Sequence, residues 1–331
     1  MGRAGRDYRP SSRPGRAGGA SAGIIARFRA RLPIVSTRVP ALFPVLGLFA
    51  VAVTLGSGHV CARLAFTNGV NVLTAATLRS LCAALLLLVL LRLRRTPVLP
   101  LPREFGATLV LGLLIAAQTV LIQVAVALMP ATLAILFFYT YPFFTGLGAA
   151  MLGDERFSGR LAVALVAAFA GLALVLGVGA EPVSLAGLAA AIGAALTFAA
   201  AVVLTPRLAP GIAAPLRTFY MLAATAALFV AVLSATLDVQ LPQNEPGWIG
   251  LAGLVLFYAA GITGLFLLLP LLGPVQSSVV LNLEPVAVAI IAWIALGEAL
   301  TGVQVAGAVI VVAAVILFQV TARPAAVRGG R

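Results

Sequence analysis

Four ionisable residues, His59, Arg63, Arg79 and Glu284, interrupt runs that otherwise avoid charge, and their types define a short menu of chemistry. Glu284, inside "VVLNLEPVAVAIIAW", can take up and release a proton or hold a cationic group. It can equally be a structural partner beside Pro285, satisfying groups that the proline frees when it opens a helix. Arg79 is permanently charged and presents a planar fork that matches carboxylates. It reads either as the anchor for the carboxylate of a bound compound or as half of a buried ion pair with Glu284. His59, the single histidine, lies one turn before Arg63 and either packs or lines a cavity. Arg63 is near enough to the end of its segment for its long side chain to reach water.

Neutral polar residues gather at matching places. Tyr139 and Tyr141 flank Thr140 just before Pro142, and Asn282 lies two residues before Glu284. Gln118, Gln123, Tyr258, Thr263, Ser277 and Ser278 are weaker candidates for the lining of the same site, because such residues also bridge helices structurally. Pro142 and Pro285 each remove a backbone donor and free a carbonyl one turn earlier, which marks both as hinges.

Enzyme chemistry needs parts that this chain lacks. A nucleophile requires a base, and a metal site requires clustered ligands; there is one histidine, no H-E-x-x-H and no G-x-S-x-G. Asp154 follows Gly153 in a turn and has no second acid of its kind within an apolar segment. The phosphate-cradling G-x-x-x-x-G-K-[ST] is absent, so nucleotide hydrolysis is not the driver. The expectation is no enzyme, no cofactor and no metal. Cys61 and Cys82 lie in apolar segments and read as small packing residues.

The setting for these groups follows from composition. The 331 residues are 62% hydrophobic and 9% charged, with a mean hydropathy of +1.13. Soluble domains carry roughly 25% charged residues, enough to solvate a surface; this chain cannot. Its net charge of +13 does not form the patch of a nucleic-acid binder, since nine of the 22 arginines fall in residues 1–40 and most others punctuate neutral runs. An integral membrane protein results. The Arg-, Gly-, Ser- and Pro-rich stretch 1–40 reads as a disordered basic cytoplasmic tail.

A helix crossing the hydrocarbon core needs about 20 apolar residues. With Pro, Gly and charges as punctuation, ten segments emerge: 41–66, 71–92, 105–127, 130–152, 159–179, 184–206, 215–237, 247–270, 274–297 and 301–321. They are uniformly apolar and Ala/Leu-rich, unlike the alternating strands of a membrane barrel. If the N-terminal tail is cytoplasmic, every arginine outside a span falls in an inside segment, while Glu181, Asp238 and Glu245 fall outside. The positive-inside rule is met, and 322–331 becomes a second cytoplasmic tail.

The chain also repeats itself. Pro142, Glu155, Ser158 and Gly159 recur as Pro285, Glu298, Thr301 and Gly302, each 143 residues later. The alignment divides ten helices into five plus five, 41–179 and 184–321, and an odd number per repeat turns the second copy upside down. The fold expected is an all-α integral membrane protein of ten transmembrane helices in two inverted five-helix repeats, with a ligand site between the halves near the midplane. Ser158 and Thr301 fit helix N-caps, Thr301 with Gln304 in a capping box. Glu155 and Glu298 suit the positive ends of the following helices, a structural role.

"LNLEPVAVAIIAWIALGEALTGVQVAGAVIVVAAVIL" resembles the second repeat of EamA-type permeases of the drug/metabolite transporter superfamily. "LGDERFSGRLAVALVAAFAGLALVLG" resembles the end of their first repeat, and "AATLRSLCAALLLLVLL" their second helix, with Arg79 at the family's arginine. The resemblance covers residues 41 to 321. In helix one the family often shows Trp-Gly, whereas this chain has Leu55-Gly56-Ser57-Gly58-His59. The resemblance implies a secondary permease of the cell membrane with cytoplasmic termini. It would export a small metabolite, amino acid or drug by alternating access, driven by protons or by the compound's own gradient. Alternatives are a lipid flippase or nucleotide-sugar-type carrier on the same scaffold, and, more remotely, a non-transporting membrane scaffold or intramembrane enzyme. The partners implied are a small molecule and the lipid bilayer, with no nucleic acid.

Overall fold

The computed structural model describes residues 42–98, 103–153, 158–177, 183–297 and 299–321, all of it helix and connecting turn. In chain order the helices are α1 Leu42–Thr67, α2 Val72–Leu93, α3 Phe105–Leu128, α4 Ala131–Phe138, α5 Tyr141–Met151 and α6 Gly159–Val175. The second set is α7 Leu185–Leu208, α8 Ala214–Thr236, α9 Glu245–Leu272, α10 Pro274–Leu281, α11 Glu284–Leu296 and α12 Gly302–Thr321. Helices α4 and α5 form one span, as do α10 and α11, so the twelve make ten crossings. Nine satisfy length and apolarity for a membrane span; α6, with 17 residues, is shorter. At 1.5 Å per residue it still extends about 26 Å, close to the thickness of the hydrocarbon core.

These segments are apolar around their whole circumference, as helices immersed in lipid must be. Leu85, Leu86 and Val89 on α2, Val163 and Val166 on α6 and Leu317 on α12 are exposed, where acyl chains are their natural solvent. Helix starts are fixed by side-chain caps: Asn71, Ser158, Ser184 and Asn244 accept from the backbone N–H groups of Thr74, Leu161, Gly187 and Gly247. Thr301 and Gln304 form the reciprocal box, the Gln304 N–H donating to Thr301 Oγ1 at 3.2 Å and the Thr301 N–H to Gln304 Oε1 at 2.9 Å. Glu155 and Glu298 lie outside the described residues.

The ten crossings are two inverted repeats, and their packing carries the pseudo-two-fold pattern. Helix α1 lies along α9 just as α3 lies along α7; α3 meets α8 as α9 meets α2; α11 meets α1 as α5 meets α7. The pairs α2–α8 and α6–α12 are their own counterparts. Without a hydrophobic drive between helices in lipid, close backbone approach through small residues must supply the attraction. On the α6–α12 axis this is extreme: a Cβ on Gly307 would meet the Gly171 carbonyl oxygen at 2.6 Å and the Val175 nitrogen at 2.8 Å, and one on Gly171 would meet the Gly307 oxygen at 2.8 Å. Any side chain at either position forces the two helices apart.

Both broken spans break at equivalent places. Proline at 142 would clash with the carbonyl of Phe138 and proline at 285 with that of Leu281, four residues back, and neither can donate. Helix α4 accordingly ends at Phe138 and α10 at Leu281. The chain passes the gaps with tighter i→i−3 bonds, Thr140 N–H to Phe137 O at 3.2 Å and Asn282 N–H to Val279 O at 3.2 Å. The sequence reading treated each of these spans as one helix; the prolines make each of them two.

Loops sort onto two faces. Asn71 reaches the Asp238 carbonyl and Asn68 meets Asn244, joining the α1–α2 and α8–α9 connections. Across the bundle, Tyr220 donates to the Val98 carbonyl at 2.6 Å and Arg207 reaches the Leu152 carbonyl.

Candidate functional site

Glu284 opens α11, immediately after the break, and is 9% exposed. Its carboxylate Oε1 lies 2.8 Å from His59 Nε2. One proton must sit between these atoms, on the imidazole or on the acid, because two acceptors cannot approach so closely. The side chains differ in access: His59 is 56% exposed and Glu284 11%. The pair is thus open on its His59 side and closed on its Glu284 side, and a polar group on that open side carries a cost wherever it meets hydrocarbon. Arg63 lies exposed one turn further along α1.

The pair forms because α1 and α11 touch backbone to backbone. A Cβ on Gly56 would lie 3.2 Å from the Glu284 carbonyl oxygen, the Val288 nitrogen and the Ala287 Cβ. Gly56 thus allows the approach that puts His59, one turn on, beside the carboxylate. Gly58 faces the other neighbour, α9, near the Phe257 side chain and the Tyr258 backbone. The sequence Leu55-Gly56-Ser57-Gly58-His59 is therefore a wedge between two helices of the second repeat.

Arg79 does not pair with Glu284. Its guanidinium sits over the Tyr258 ring, 4.4 Å from the centroid, and its Nη2 lies 3.5 Å from Thr119 Oγ1. His59 takes the carboxylate because α1, and not α2, abuts α11. Gln118, half-buried, accepts weakly from Thr119 at 3.5 Å. Thr119 was not foreseen as a neighbour of Arg79, and Tyr258 was anticipated only as neutral lining.

Tyr139 and Tyr141 are buried and both lie near enough to Glu284 to interact with its charge, Tyr139 through its hydroxyl. They belong to an aromatic group with Phe138 and Phe198, in which Tyr141 meets Phe198 edge-on at 4.8 Å. The Tyr141 hydroxyl donates to the Ser278 carbonyl at 3.4 Å, tying the two broken spans together. Asn282 is buried in the second break. Ser277 and Ser278 are turned back onto their own helix, donating to Gly273 O at 2.7 Å and Val275 O at 2.8 Å, which commits their hydroxyls locally. Thr263 is buried with an unpartnered hydroxyl.

Three of these contacts, His59–Glu284, Arg79–Tyr258 and Tyr141–Ser278, each join one residue of the first repeat to one of the second. The scaffold is symmetric and the chemistry is not: 143 residues from His59, Arg79 and Glu284 stand Val202, Leu222 and Tyr141. By contrast, an open apolar groove of about 450 Å³ between α6 and α12, lined by Gly159, Arg160, Val163, Ala167, Leu317 and Phe318, includes none of the central groups.

Two inverted repeats of apolar helices with charged and aromatic contacts between them define a multi-pass membrane protein. The chain belongs to the EamA-like transporter family, which matches it twice, over residues 42–177 and 185–319. Family members are transporters and not enzymes, which implies a small-molecule substrate and a lipid bilayer as surroundings. A protein of known crystal structure, 19% identical, aligns over 84% of this chain and 97% of its own with a TM-score of 0.68; at that identity the likeness shows the fold. No curated protein matches.

Proposed function

We propose that the protein is a secondary permease of the cell membrane that exports a small metabolite, amino acid or drug by alternating access, with proton movement through the His59–Glu284 pair. The observation that carries this reading is that the pair spans the two repeats. Rocking of one half against the other, the motion that inverted repeats permit, must lengthen or close this contact. A proton added to the carboxylate removes the charge that accepts the imidazole N–H, and so favours separation of α1 from α11. Pro142 and Pro285 are the hinges, and Tyr139, Tyr141, Asn282 and Gln118 line the substrate path.

The orientation follows from charge. On the face that carries the α1–α2 and α8–α9 turns stand Asp238 and Glu245; on the opposite face stand Arg92, Arg94, Arg95, Arg103, Arg160, Arg207 and Arg217. Basic loops remain in the cytoplasm, which puts both termini inside. Expression in a sensitive host, challenged with toxic amino acid analogues, organic cations and aromatic compounds, should raise tolerance to at least one compound and lower its cellular accumulation. Unchanged accumulation of every compound by a membrane-inserted protein would contradict export.

A further inference from the structure

We infer that Arg79 is the docking point for the carboxylate of a small organic anion; this rests on the transport reading and names the class of compound that the same site takes. Arg79 lies seven residues into α2 from Val72, about 10 Å along the helix. Its Nε is buried and has no hydrogen-bond partner, and its one polar contact, to Thr119, is long at 3.5 Å. Among the described residues no carboxylate lies within ion-pair distance of it, and the acid near the centre of the bundle is taken by His59.

Magnitudes decide whether Tyr258 is compensation enough. A desolvated cation–π contact is worth about 2 kcal/mol, while withdrawing an ion from water costs several kcal/mol even after relaxation. Arg79 is half-buried, so solvent meets part of that cost and the remainder is what an anion at the guanidinium would supply. Nor does the scaffold need a cation there, since the equivalent position in the second repeat is the buried Leu222. The stacked ring covers a face of the guanidinium, whereas a carboxylate uses its N–H edge, where two parallel hydrogen bonds can form. Gly58 brings α1 against the backbone of Tyr258, so a bound anion and the His59–Glu284 pair occupy adjoining helices.

The test uses the full chain in lipid nanodiscs, with thermal unfolding measured against matched probes: phenylacetate and phenylacetamide, hexanoate and hexanamide, and sodium chloride at equal concentration. The expected result is a saturable rise in Tm with at least one carboxylate, none with its amide or with chloride, loss of the rise in R79Q and a weaker rise in R79K. Equal shifts from acid and amide, equal stabilisation by chloride, a shift that survives R79Q, or no shift with either carboxylate would each overturn the assignment. The comparison of acid with amide is made on the unaltered protein, so instability of R79Q does not decide it. Export of neutral or cationic compounds in the tolerance experiment would stand even if every carboxylate failed to bind, which separates failure of this inference from failure of the transport reading.

Discussion

Glu284→Gln will leave a folded, membrane-inserted protein that no longer couples flux to a proton gradient. The amide keeps the size of the carboxyl group and can still accept from or donate to His59, 2.8 Å away, so packing around the α10–α11 break is preserved. What is lost is the group that binds and releases the proton. Removing one such group typically slows a proton-dependent step by about a hundredfold or more, and flux driven by an imposed pH gradient in proteoliposomes is expected to fall to that degree. Counterflow of labelled against unlabelled substrate should persist if substrate binding is intact. Full pH-driven flux in the variant would remove Glu284 from coupling.

The second large effect concerns the partner. His59→Leu leaves the Glu284 carboxylate with no cation or donor from α1. Breaking a fully buried pair by removing one partner costs about 3–5 kcal/mol, and an exposed pair about 0–1. His59 is 56% exposed and Glu284 11%, so water screens part of the loss and roughly 1–3 kcal/mol is expected. The double variant His59→Leu with Glu284→Leu should recover most of that stability, because two apolar side chains replace both members, while transport stays lost. Thermal unfolding of the four proteins of this cycle gives the coupling directly. Additive effects would mean that the contact contributes nothing to the fold.

How much of this was open to reading from the residues follows from what each signal encodes. Span limits were legible because charge, proline and glycine bound apolar runs: α3 was expected over 105–127 and is Phe105–Leu128, and the capping box at Thr301 was visible as T-x-x-Q. The two breaks were implied by Pro142 and Pro285, yet their extent depended on which carbonyls the rings would strike. The partner of Glu284 was not legible. Counting along a helix gives depth, and His59, Arg79 and Glu284 all lie well inside their spans. Depth says nothing of rotation or of which helix stands next to which, and helices apolar all round have no polar stripe to reveal it. Arg79 was the more obvious cation, and only the Gly56 contact, which presses α1 onto α11, settles in favour of His59. The glycines around His59 were the available clue, since small residues in a span signal a close neighbour.

The Arg79 stack escaped for the same reason. Its three parts, Arg79, Thr119 and Tyr258, come from α2, α3 and α9, and no local pattern links them.

The most direct measurement is carbodiimide labelling of Glu284 in native membranes, read by mass spectrometry, with a water-soluble reagent plus an amine nucleophile compared against a lipid-soluble one. A carboxyl bordering a hydrated cleft between the two halves is expected to form the amide adduct with the water-soluble reagent, and faster once His59→Leu frees it. Modification by the lipid-soluble reagent alone would turn this side chain towards acyl chains and contradict the account.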